Sequence, residues 1–449
     1  MSKKPVITVI GTGYVGVTTA AILANAGYRV YALDISQDRL QALREGRSFF
    51  YEEGLNPLIQ NAVKTKNLIP TSSYKESIPK SSFIFSCVGT PDNPDGSSNL
   101  TYIFAAAEEA AKYTKSGSIF IQKSTVPVGT GRQVSKIFAG KGVDYVSNPE
   151  FLRESTALSD SLFFDRVVAG SDNKEAVEKV LGLYKDMEKS AKSVARLAGI
   201  RAKSSKGSYI ATALDSAELI KVTANAFLAL KISFANSIAK LADKNNADVM
   251  EVMDAVGADP RIGRAFLSAG RGYGGGCFPK DVSGLISSAL EHGVDMPIMV
   301  AATEVNEQMA GYIADKAKAA LGGSFKDKKA SVLGLSFKAG TSDARKSPGV
   351  KLANILQSQG AEVIVYDPQA NGEAKDSLNR RVSVAGSVNE AVLQSDAVFI
   401  ATDWLEFKEI DFDKLAHDMS GDLVVDGMNC LDPTKVEETG LRYIGVGRY

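Results

Sequence analysis

The side chain best suited to covalent chemistry in this chain stands in a glycine-rich segment, Gly274-Gly-Gly-Cys277-Phe-Pro-Lys280-Asp281. Pro279 suits the first turn of a helix, which places Cys277 just ahead of a helix N-terminus. A helix N-terminus and a nearby cation such as Lys280 both favour the thiolate. The segment therefore predicts a nucleophilic cysteine, with a small buried cysteine in a glycine loop as the alternative.

A second set of polar residues lies on a long apolar helical pattern. Glu218, Lys221 and Asn225 are spaced by three and four residues, which puts a carboxylate, an amine and an amide on one helical face. Burying a lysine among apolar side chains costs free energy unless its charge is paired or serves a reaction. A lysine at the surface whose stem covers apolar residues while its ammonium reaches water would fit the same pattern. Glu150 and Glu154 follow a predicted strand and are four residues apart, so they could share a helical face or be surface carboxylates.

A dinucleotide-binding turn opens the chain. Gly11-Thr-Gly13-Tyr-Val-Gly16 follows the apolar run Val6–Ile10 and begins a helical pattern, and Asp34 ends the next predicted strand. In this context the glycines predict a tight turn, a close approach of the backbone to a pyrophosphate, and close helix–strand packing.

Asp34 selects among the nucleotides that use such a turn. Its carboxylate can accept hydrogen bonds from a ribose diol and would repel a 2′-phosphate, so NAD is favoured over NADP, although the nearby Arg39 acts in the opposite direction. FAD is the runner-up ligand, and a glycine turn without a cofactor is the remaining alternative.

These residues require elements that position them. Strands and helices alternate in the first part, where strands are predicted at Arg29–Leu33 and Ile119–Gln122 among others. The α/β alternation returns after about residue 330, with a predicted strand at Glu362–Tyr366, and Leu33-Asp34 is echoed by Tyr366-Asp367. Between them, a helical pattern over 215–244 is apolar nearly all round, which predicts a helix buried on most sides that also makes a subunit contact. The fold class is α/β, with two Rossmann-like doubly wound domains joined by a long central helix. The polar stretch 190–208 reads as an exposed loop.

Composition excludes several classes of protein. The 449 residues contain 52 basic and 52 acidic side chains, which argues against a general nucleic-acid or membrane-surface binder. We find no apolar run of about 18 residues, so no membrane span and no signal peptide are expected. Two histidines exclude a three-histidine metal site, and no metal is expected. Three widely separated cysteines favour a reducing, cytoplasmic compartment.

Taken together, the motifs resemble the nucleotide-sugar 6-dehydrogenases of the UDP-glucose/GDP-mannose dehydrogenase family, most closely its UDP-glucose enzymes. The resemblance covers essentially the whole chain and rests on motifs in the family's order: the N-terminal glycine turn, Cys-Val-Gly-Thr-Pro at 87–91, Ser-Thr-Val-Pro at 124–127, and the segments 148–154, 218–225, 274–281 and 337–345.

The resemblance implies a four-electron oxidation with two NAD. A sugar C6 alcohol becomes an aldehyde, then a thioester on Cys277, then a carboxylate. UDP-glucose is the expected substrate, and GDP-mannose or a UDP-N-acetylhexosamine is the alternative with the same mechanism. A catalytically silent NAD-binding assembly protein is the alternative from a different class.

The resemblance also assigns roles to residues. Lys221 would stabilise oxyanion character with help from Asn225, Asp281 would work with a water held by Thr125, and Glu150 and Glu154 would flank the site, one of them serving in thioester hydrolysis. The NAD side would comprise Gly11, Gly13, Tyr14, Val15, Gly16, Asp34, Arg39, Thr90, Thr125, Glu154, Lys280 and Arg345. Substrate contacts would come from Glu150, Phe151, Leu152, Arg153, Glu154, Lys221, Asn225, Phe266, Leu267, Ser268, Ala269, Gly270, Tyr273, Gly274 and Lys338, with Arg261 reaching over from a neighbouring subunit of a homodimer.

By the same resemblance, residues 1–205 form the NAD-binding domain, 206–322 a central helical domain for dimerisation and catalysis, and 323–449 the UDP-binding domain. Two positions depart from the family pattern. Met428 stands where many UDP-glucose enzymes carry an arginine expected near the nucleotide diphosphate, and Lys346 stands where glutamate is common. Both departures concern the identity of the nucleotide sugar and leave the chemistry unchanged.

Overall fold

The structure, a computed structural model, describes residues 4–203 and 207–448. They form two compact units that divide between Ala224 and Asn225. Each unit is built on a mainly parallel sheet, and one helix, Leu214–Asn245, runs from the first unit into the second. The predicted fold class is therefore confirmed, whereas the predicted division into three domains, at 205/206 and 322/323, stays a prediction.

The described residues of the first unit form an eight-stranded sheet of order β3-β2-β1-β4-β5-β6-β7-β8. All its neighbouring pairs are parallel except β6 and β7. The strands are β1 (Val6–Ile10), β2 (Arg29–Leu33), β3 (Leu68–Thr71), β4 (Phe83–Ser86), β5 (Ile119–Gln122), β6 (Asp144–Ser147), β7 (Arg166–Gly170) and β8 (Ser208–Thr212).

Helices cover both faces of this sheet, because its alternate apolar side chains are buried in two separate cores. They are α1 (Tyr14–Asn25), α2 (Gln37–Arg44), α3 (Leu55–Lys64), α4 (Tyr74–Ser77), α5 (Thr101–Ala111), α6 (Thr130–Ile137), α7 (Ala157–Leu162) and α8 (Lys174–Ala198), and a 3₁₀ turn spans Ile78–Lys80. The long α8 shows that the predicted loop over 190–208 was wrong for residues 190–198, and β8 shows that it was wrong for Ser208. Residues 204–206 of that stretch lie outside the described residues.

In the second unit the described strands form a six-stranded parallel sheet of order β11-β10-β9-β12-β13-β14. The strands are β9 (Lys329–Leu333), β10 (Glu362–Tyr366), β11 (Val382–Val384), β12 (Ala397–Ile400), β13 (Leu423–Asp426) and β14 (Arg442–Gly445). The helices that follow α9 (Leu214–Asn245) are α10 (Val249–Gly257), α11 (Phe278–Glu291), α12 (Pro297–Ala320), α13 (Pro348–Ser358), α14 (Asn371–Ala374), α15 (Val388–Val392), α16 (Leu405–Lys408), α17 (Phe412–Asp418) and α18 (Pro433–Glu437), with a 3₁₀ turn at Lys375–Ser377.

The two sheets repeat one design. Counted from the first strand of each, both contain the order 3-2-1-4-5-6, the strand order of dinucleotide-binding folds. In each sheet an aspartate after the second strand holds the turn that follows the first strand. Asp34 accepts hydrogen bonds from Thr12, and Asp367 accepts them from Leu335 and Ser336. The echo between the two halves of the sequence thus corresponds to equivalent positions in the two sheets.

Helix α9 differs from the expectation that it is buried on most sides. Within one chain, Leu219, Phe227, Phe234 and Leu241 are each about half exposed, while several alanines of the same helix are buried. By length and composition it is also the one described helix that could cross a membrane, but 44% of its most apolar stretch is buried within the protein. Buried polar side chains on it, such as Lys221, fit a core helix.

Candidate active site

The N-terminal glycine turn has room where a phosphate is expected. Gly11 has a φ of +88°, and a Cβ there would lie 2.8 Å from the Cys87 carbonyl oxygen, so only glycine fits. A Cβ on Gly16 would collide with the Gly11 carbonyl. A Cβ on Gly13, in contrast, would meet nothing within 4 Å, and Gly13 immediately precedes the N-terminus of α1. This open helix N-terminus fits a pyrophosphate.

Asp34 lies beside this turn. Its Oδ2 accepts hydrogen bonds from the Thr12 backbone N–H and hydroxyl, both at 2.6 Å, and its Oδ1 accepts one from Ser36 N–H. The Arg39 guanidinium is 3.8 Å from Oδ2, so the charge next to the expected ribose is partly balanced. Ile35, the next residue, is 83% exposed and offers an apolar face to an adenine ring. Asp34 and its surroundings therefore fit NAD.

The other expected NAD contacts in the first unit are distributed around the same turn. Val15 lies in the first turn of α1, and Thr90 is buried in the loop after β4. Thr125 is partly buried in the loop after β5. Because these loops follow neighbouring parallel strands, they lie at the carboxyl edge of the sheet, where ligands of such folds bind.

Tyr14 connects the glycine turn to the loop after β6. Its hydroxyl donates a short hydrogen bond to the buried Glu52 and accepts one from Ser155 N–H at 2.8 Å. Glu52 also accepts a hydrogen bond from Leu158 N–H. Burial, followed by the nearby Glu52 carboxylate, raises the pKa of Tyr14, which keeps the hydroxyl protonated. Glu52 was missed in the sequence because no motif surrounds it.

The segment 148–154 is a loop rather than a helix, so Glu150 and Glu154 do not share a helical face. The loop is held at both ends. Asn148 donates to the Val168 carbonyl, and Arg153 makes a two-pronged ion pair with Asp160. Glu154 lies close enough to Tyr14 to contribute to the raised pKa of that hydroxyl.

Lys221 and Glu150 form a buried ion pair in the first unit. Their side chains are 4% and 8% exposed, and Nζ is 3.3 Å from Oε1. Glu150 Oε2 accepts a hydrogen bond from Leu152 N–H, and the Lys221 ammonium also lies over the Phe151 ring at 5.4 Å. Lys221 is therefore a paired buried cation and not a snorkelling surface lysine.

Glu218 anchors the start of α6 to α9. Its two carboxylate oxygens accept hydrogen bonds from Gly129 N–H at 2.8 Å and Gly131 N–H at 2.7 Å. Burial raises the pKa of Glu218 to about 7, against the opposing effect of these two backbone donors. Glu218 thus holds the loop that begins at Thr125 on the helix that carries Lys221.

Cys277 is the N-cap residue of α11, as the sequence predicts, with Pro279 in the first turn. All three cysteines are described, and only Cys277 is exposed. Burial raises the pKa of the Cys87 thiol to about 12 and also raises that of Cys430. Exposure and a position at a helix N-terminus are the features expected of a reactive thiol, and of the three cysteines Cys277 combines them.

Asp281 lies one turn after Cys277, and the Asp281 backbone N–H donates to the Cys277 carbonyl at 2.8 Å. Its carboxylate is buried and bridges two donors. Oδ2 accepts a hydrogen bond from Asn225 at 2.5 Å, and Oδ1 one from the Lys280 ammonium at 2.7 Å. The second unit therefore groups a thiol, a carboxylate, an amide and an ammonium at the start of α11.

The glycines before Cys277 are packed against one loop, at 337–346. A Cβ on Gly274 would lie 2.4 Å from the Lys346 carbonyl oxygen, one on Gly275 would touch the Phe337 ring, and one on Gly276 would touch the Arg345 guanidinium. Arg345 is itself held by a two-pronged ion pair with Asp343. These glycines thus allow a close approach of the backbone to this loop, which places the Arg345 guanidinium beside Gly276.

The predicted substrate residues of the second unit lie on the chain just before these glycines. Phe266 has a φ of +65°, the Gly270 N–H donates to Asn236, and Asn306 holds both the N–H and the carbonyl of Tyr273. Leu267, Ala269 and Gly270 are buried, whereas Ser268 is exposed and Lys338 is partly buried. Arg261 stands apart from them. Its side chain is 87% exposed and pairs with Asp259.

Comparisons with known proteins show the family of the chain. Three models of the UDP-glucose/GDP-mannose dehydrogenase family match the chain: the NAD-binding domain over 5–188, the central domain over 215–308 and the UDP-binding domain over 331–433. The UDP-glucose 6-dehydrogenase TuaD of Bacillus subtilis is 38% identical over 98% of this chain and 93% of its own length.

Two solved structures are also similar. A UDP-glucose dehydrogenase from the archaeon Pyrobaculum islandicum has a TM-score of 0.88 and 34% identity, covering 100% of this chain and 99% of that one. A UDP-D-ManNAc dehydrogenase from Pyrococcus horikoshii has a TM-score of 0.85 and 26% identity, covering 98% and 99%.

Proposed function

The chain belongs to the UDP-glucose/GDP-mannose dehydrogenase family, and from this we propose that it oxidises UDP-glucose to UDP-glucuronate with NAD. The observation that carries the proposal is the exposed Cys277 at the N-terminus of α11, one turn before a buried Asp281 that Asn225 and Lys280 hold in place. A thiol in this setting suits a reaction that passes through a covalent thioester.

UDP-glucose is favoured over the other nucleotide sugars of the family by similarity. The enzyme from Bacillus subtilis and the structure from Pyrobaculum islandicum, at 38% and 34% identity, both carry UDP-glucose in their names. The structure named for UDP-D-ManNAc is 26% identical. The complete set Cys277, Lys221, Asn225 and Asp281 speaks against a catalytically silent NAD-binding protein.

The cysteine makes the second oxidation possible. NAD bound at the N-terminal glycine turn would supply the hydride acceptor for each of the two oxidations at C6. After the alcohol has become an aldehyde, the Cys277 thiolate adds to the carbonyl carbon, and C6 becomes a tetrahedral centre that can lose hydride again. Loss of that hydride leaves a thioester, and water then releases the carboxylate and restores the thiol.

The remaining groups handle charge and protons. We assign Lys221 and Asn225 to the oxygen at C6, because an ammonium and an amide stabilise developing negative charge. Asp281, with a water held by Thr125, takes up the protons that the oxidations release. Glu150, already paired with Lys221, and Glu154 flank the site, and one of them assists thioester hydrolysis.

We further propose a homodimer formed through α9. Phe227, Phe234 and Leu241 follow one another at intervals of seven and are 59%, 50% and 59% exposed, the spacing with which two helices pack along a shared seam. The exposed Arg261 is available to reach the substrate of a second copy. A cytoplasmic location is proposed because the Cys277 thiol has to stay reduced in order to react.

The test is stoichiometry combined with one substitution. The purified protein is expected to form two NADH for each UDP-glucose consumed, and Cys277→Ser to abolish acid formation while NAD affinity is unchanged. Cys87→Ser, at a buried thiol, is the matched control and should retain activity. Normal turnover by the Cys277→Ser variant would overturn the covalent route, and one NADH per sugar would overturn the four-electron reaction.

A further inference from the structure

Arg271 is an almost fully buried arginine that the proposed chemistry does not use. Its side chain is 2% exposed. Nη2 donates to the carbonyls of Ser336 at 3.1 Å and Phe337 at 2.8 Å, and Nη1 lies 3.4 Å from the Ser347 hydroxyl. Nε lies 3.1 Å from the sulfur of Met428. The guanidinium therefore sits where three segments of the second unit meet.

No described carboxylate, within residues 4–203 and 207–448, lies within 4 Å of this guanidinium. Asp367 and Asp403 are the acidic groups that act on it, and both are engaged elsewhere. Asp367 accepts hydrogen bonds from backbone N–H groups and from Trp404, and Asp403 pairs with Lys408. Burial lowers the pKa of Arg271 to about 10, so it stays charged at neutral pH. A buried cation of this kind is costly unless an anion offsets it.

The surroundings of Arg271 indicate which anion is expected. Gly270 on one side and Phe337-Lys338 on the other belong to the segments that the family resemblance assigns to the nucleotide sugar. These segments and Met428 fall within the matched central and UDP-binding family models. Met428 itself occupies the position where an arginine is expected near the diphosphate. Because the Arg271 Nε contacts the Met428 sulfur, the charge of Arg271 lies near the end of the Met428 side chain.

We propose that Arg271 supplies the positive charge for the nucleotide diphosphate that residue 428 does not supply in this chain. The inference rests on the proposed function only in taking a UDP-sugar as the ligand. Because Arg271 is buried, it acts as a positioning residue. Its charge is felt across a short stretch of low dielectric, and its two bonds to backbone carbonyls hold Phe337 and Lys338 in place.

An arginine at position 428 should therefore be able to replace the positive charge of Arg271. Arg271→Met is expected to weaken the binding of UDP, used alone as the probe, at least tenfold in titration calorimetry, with NAD affinity unchanged. Adding Met428→Arg to that variant is expected to recover most of the lost affinity. Folded Arg271→Met with normal UDP affinity would overturn the proposal, and so would a folded double variant that binds UDP no better than the single one.

Two further variants separate charge from folding. Arg448→Met is the control. It removes a partly buried arginine of the same unit that is paired with Asp248, and it should leave UDP affinity unchanged. Should Arg271→Met not fold, Arg271→Lys keeps the charge and is expected to bind UDP within about threefold of the unchanged protein. A folded lysine variant that loses tenfold or more would overturn the proposal.

The use of UDP keeps this inference distinct from the proposed function. If the unchanged protein binds UDP through Arg271 but oxidises a different UDP-sugar, the inference stands and the choice of UDP-glucose fails. If UDP-glucose is oxidised normally while the Arg271 series shows no effect on UDP binding or on the KM for UDP-glucose, the inference fails and the proposed function stands.

Discussion

At the scale of single residues, burial decides which groups are free to react. Cys87 and Cys277 have the same side chain, but burial raises the pKa of the Cys87 thiol to about 12, whereas Cys277 is exposed at a helix N-terminus. Lys221 is buried as deeply as Cys87 and is accommodated because Glu150 lies within ion-pair distance.

Glu218 provides a pH-dependent prediction. Its pKa is about 7 in the folded protein and 4.5 in an unfolded chain, so the folded state binds more protons between those values. The stability that Glu218 contributes is fully present below about pH 4.5 and is lost as the pH rises through 7. Relative to Glu218→Gln, the free energy of unfolding of the unchanged protein should fall by about 3 kcal/mol from pH 4.5 to 8.

Urea unfolding of both proteins at several pH values within this range measures that difference. Because the two proteins share all other titrating groups, the difference isolates residue 218. A difference that stays constant with pH would show that the carboxylate is ionised throughout, with its two backbone hydrogen bonds outweighing burial.

Single functional residues could be predicted from the sequence where a local motif surrounds them. Cys277 and Pro279 predicted an N-cap because proline and a helix pattern follow within the same few residues, and the structure has that cap. Glu52 accepts hydrogen bonds from Tyr14 and Leu158, which are 38 and 106 residues away. Arg271 donates to the Ser336 carbonyl, 65 residues away. No local sequence pattern marks contacts of this length.

At the scale of elements, strands were the most predictable features. Val6–Ile10, Arg29–Leu33, Ile119–Gln122 and Glu362–Tyr366 have the predicted bounds, because buried parallel strands are short continuous apolar runs. The extension of α8 to Ala198 was missed because polar residues dominate its composition. Ala191, Val194, Ala195 and Ala198 are nevertheless buried at helical spacing, so periodicity was the better signal.

The glycine run before α11 provides an element-level prediction. In Gly274→Ala the new Cβ would press on the Lys346 backbone carbonyl, which cannot move without the loop. We expect a loss of about 1–3 kcal/mol in unfolding free energy and slower oxidation. The control is Gly311→Ala within α12, where a Cβ meets nothing within 4 Å and should stabilise by about 0.5–1 kcal/mol. Thermal unfolding measures the stability of the two variants, and NADH assays measure their rates of oxidation. Equal stability and equal rates in Gly274→Ala and Gly311→Ala would contradict the role of this close contact.

At the scale of the whole molecule, the prediction concerns the number of chains. Phe234→Glu places a charge in the exposed apolar row of α9 and is expected to convert the dimer into monomers with strongly reduced activity, because Arg261 is expected to serve a second copy. Leu405→Glu, at a residue 66% exposed on α16, is the control and should leave the dimer intact. Sedimentation velocity measures both, and a fully active monomer of the unchanged chain would contradict the prediction.

Helix α9, which runs through both units, also determines where a chimera of this protein and a relative can be joined. Arg132 pairs with Asp215, and Glu218 holds Gly129 and Gly131, so the start of α9 is built into the first unit. A chimera joined at 205/206 would separate these partners onto different parents. A junction within the helix near 224/225, where the compact units divide, keeps each set of contacts with its own sheet, provided that the helical register is preserved across the splice.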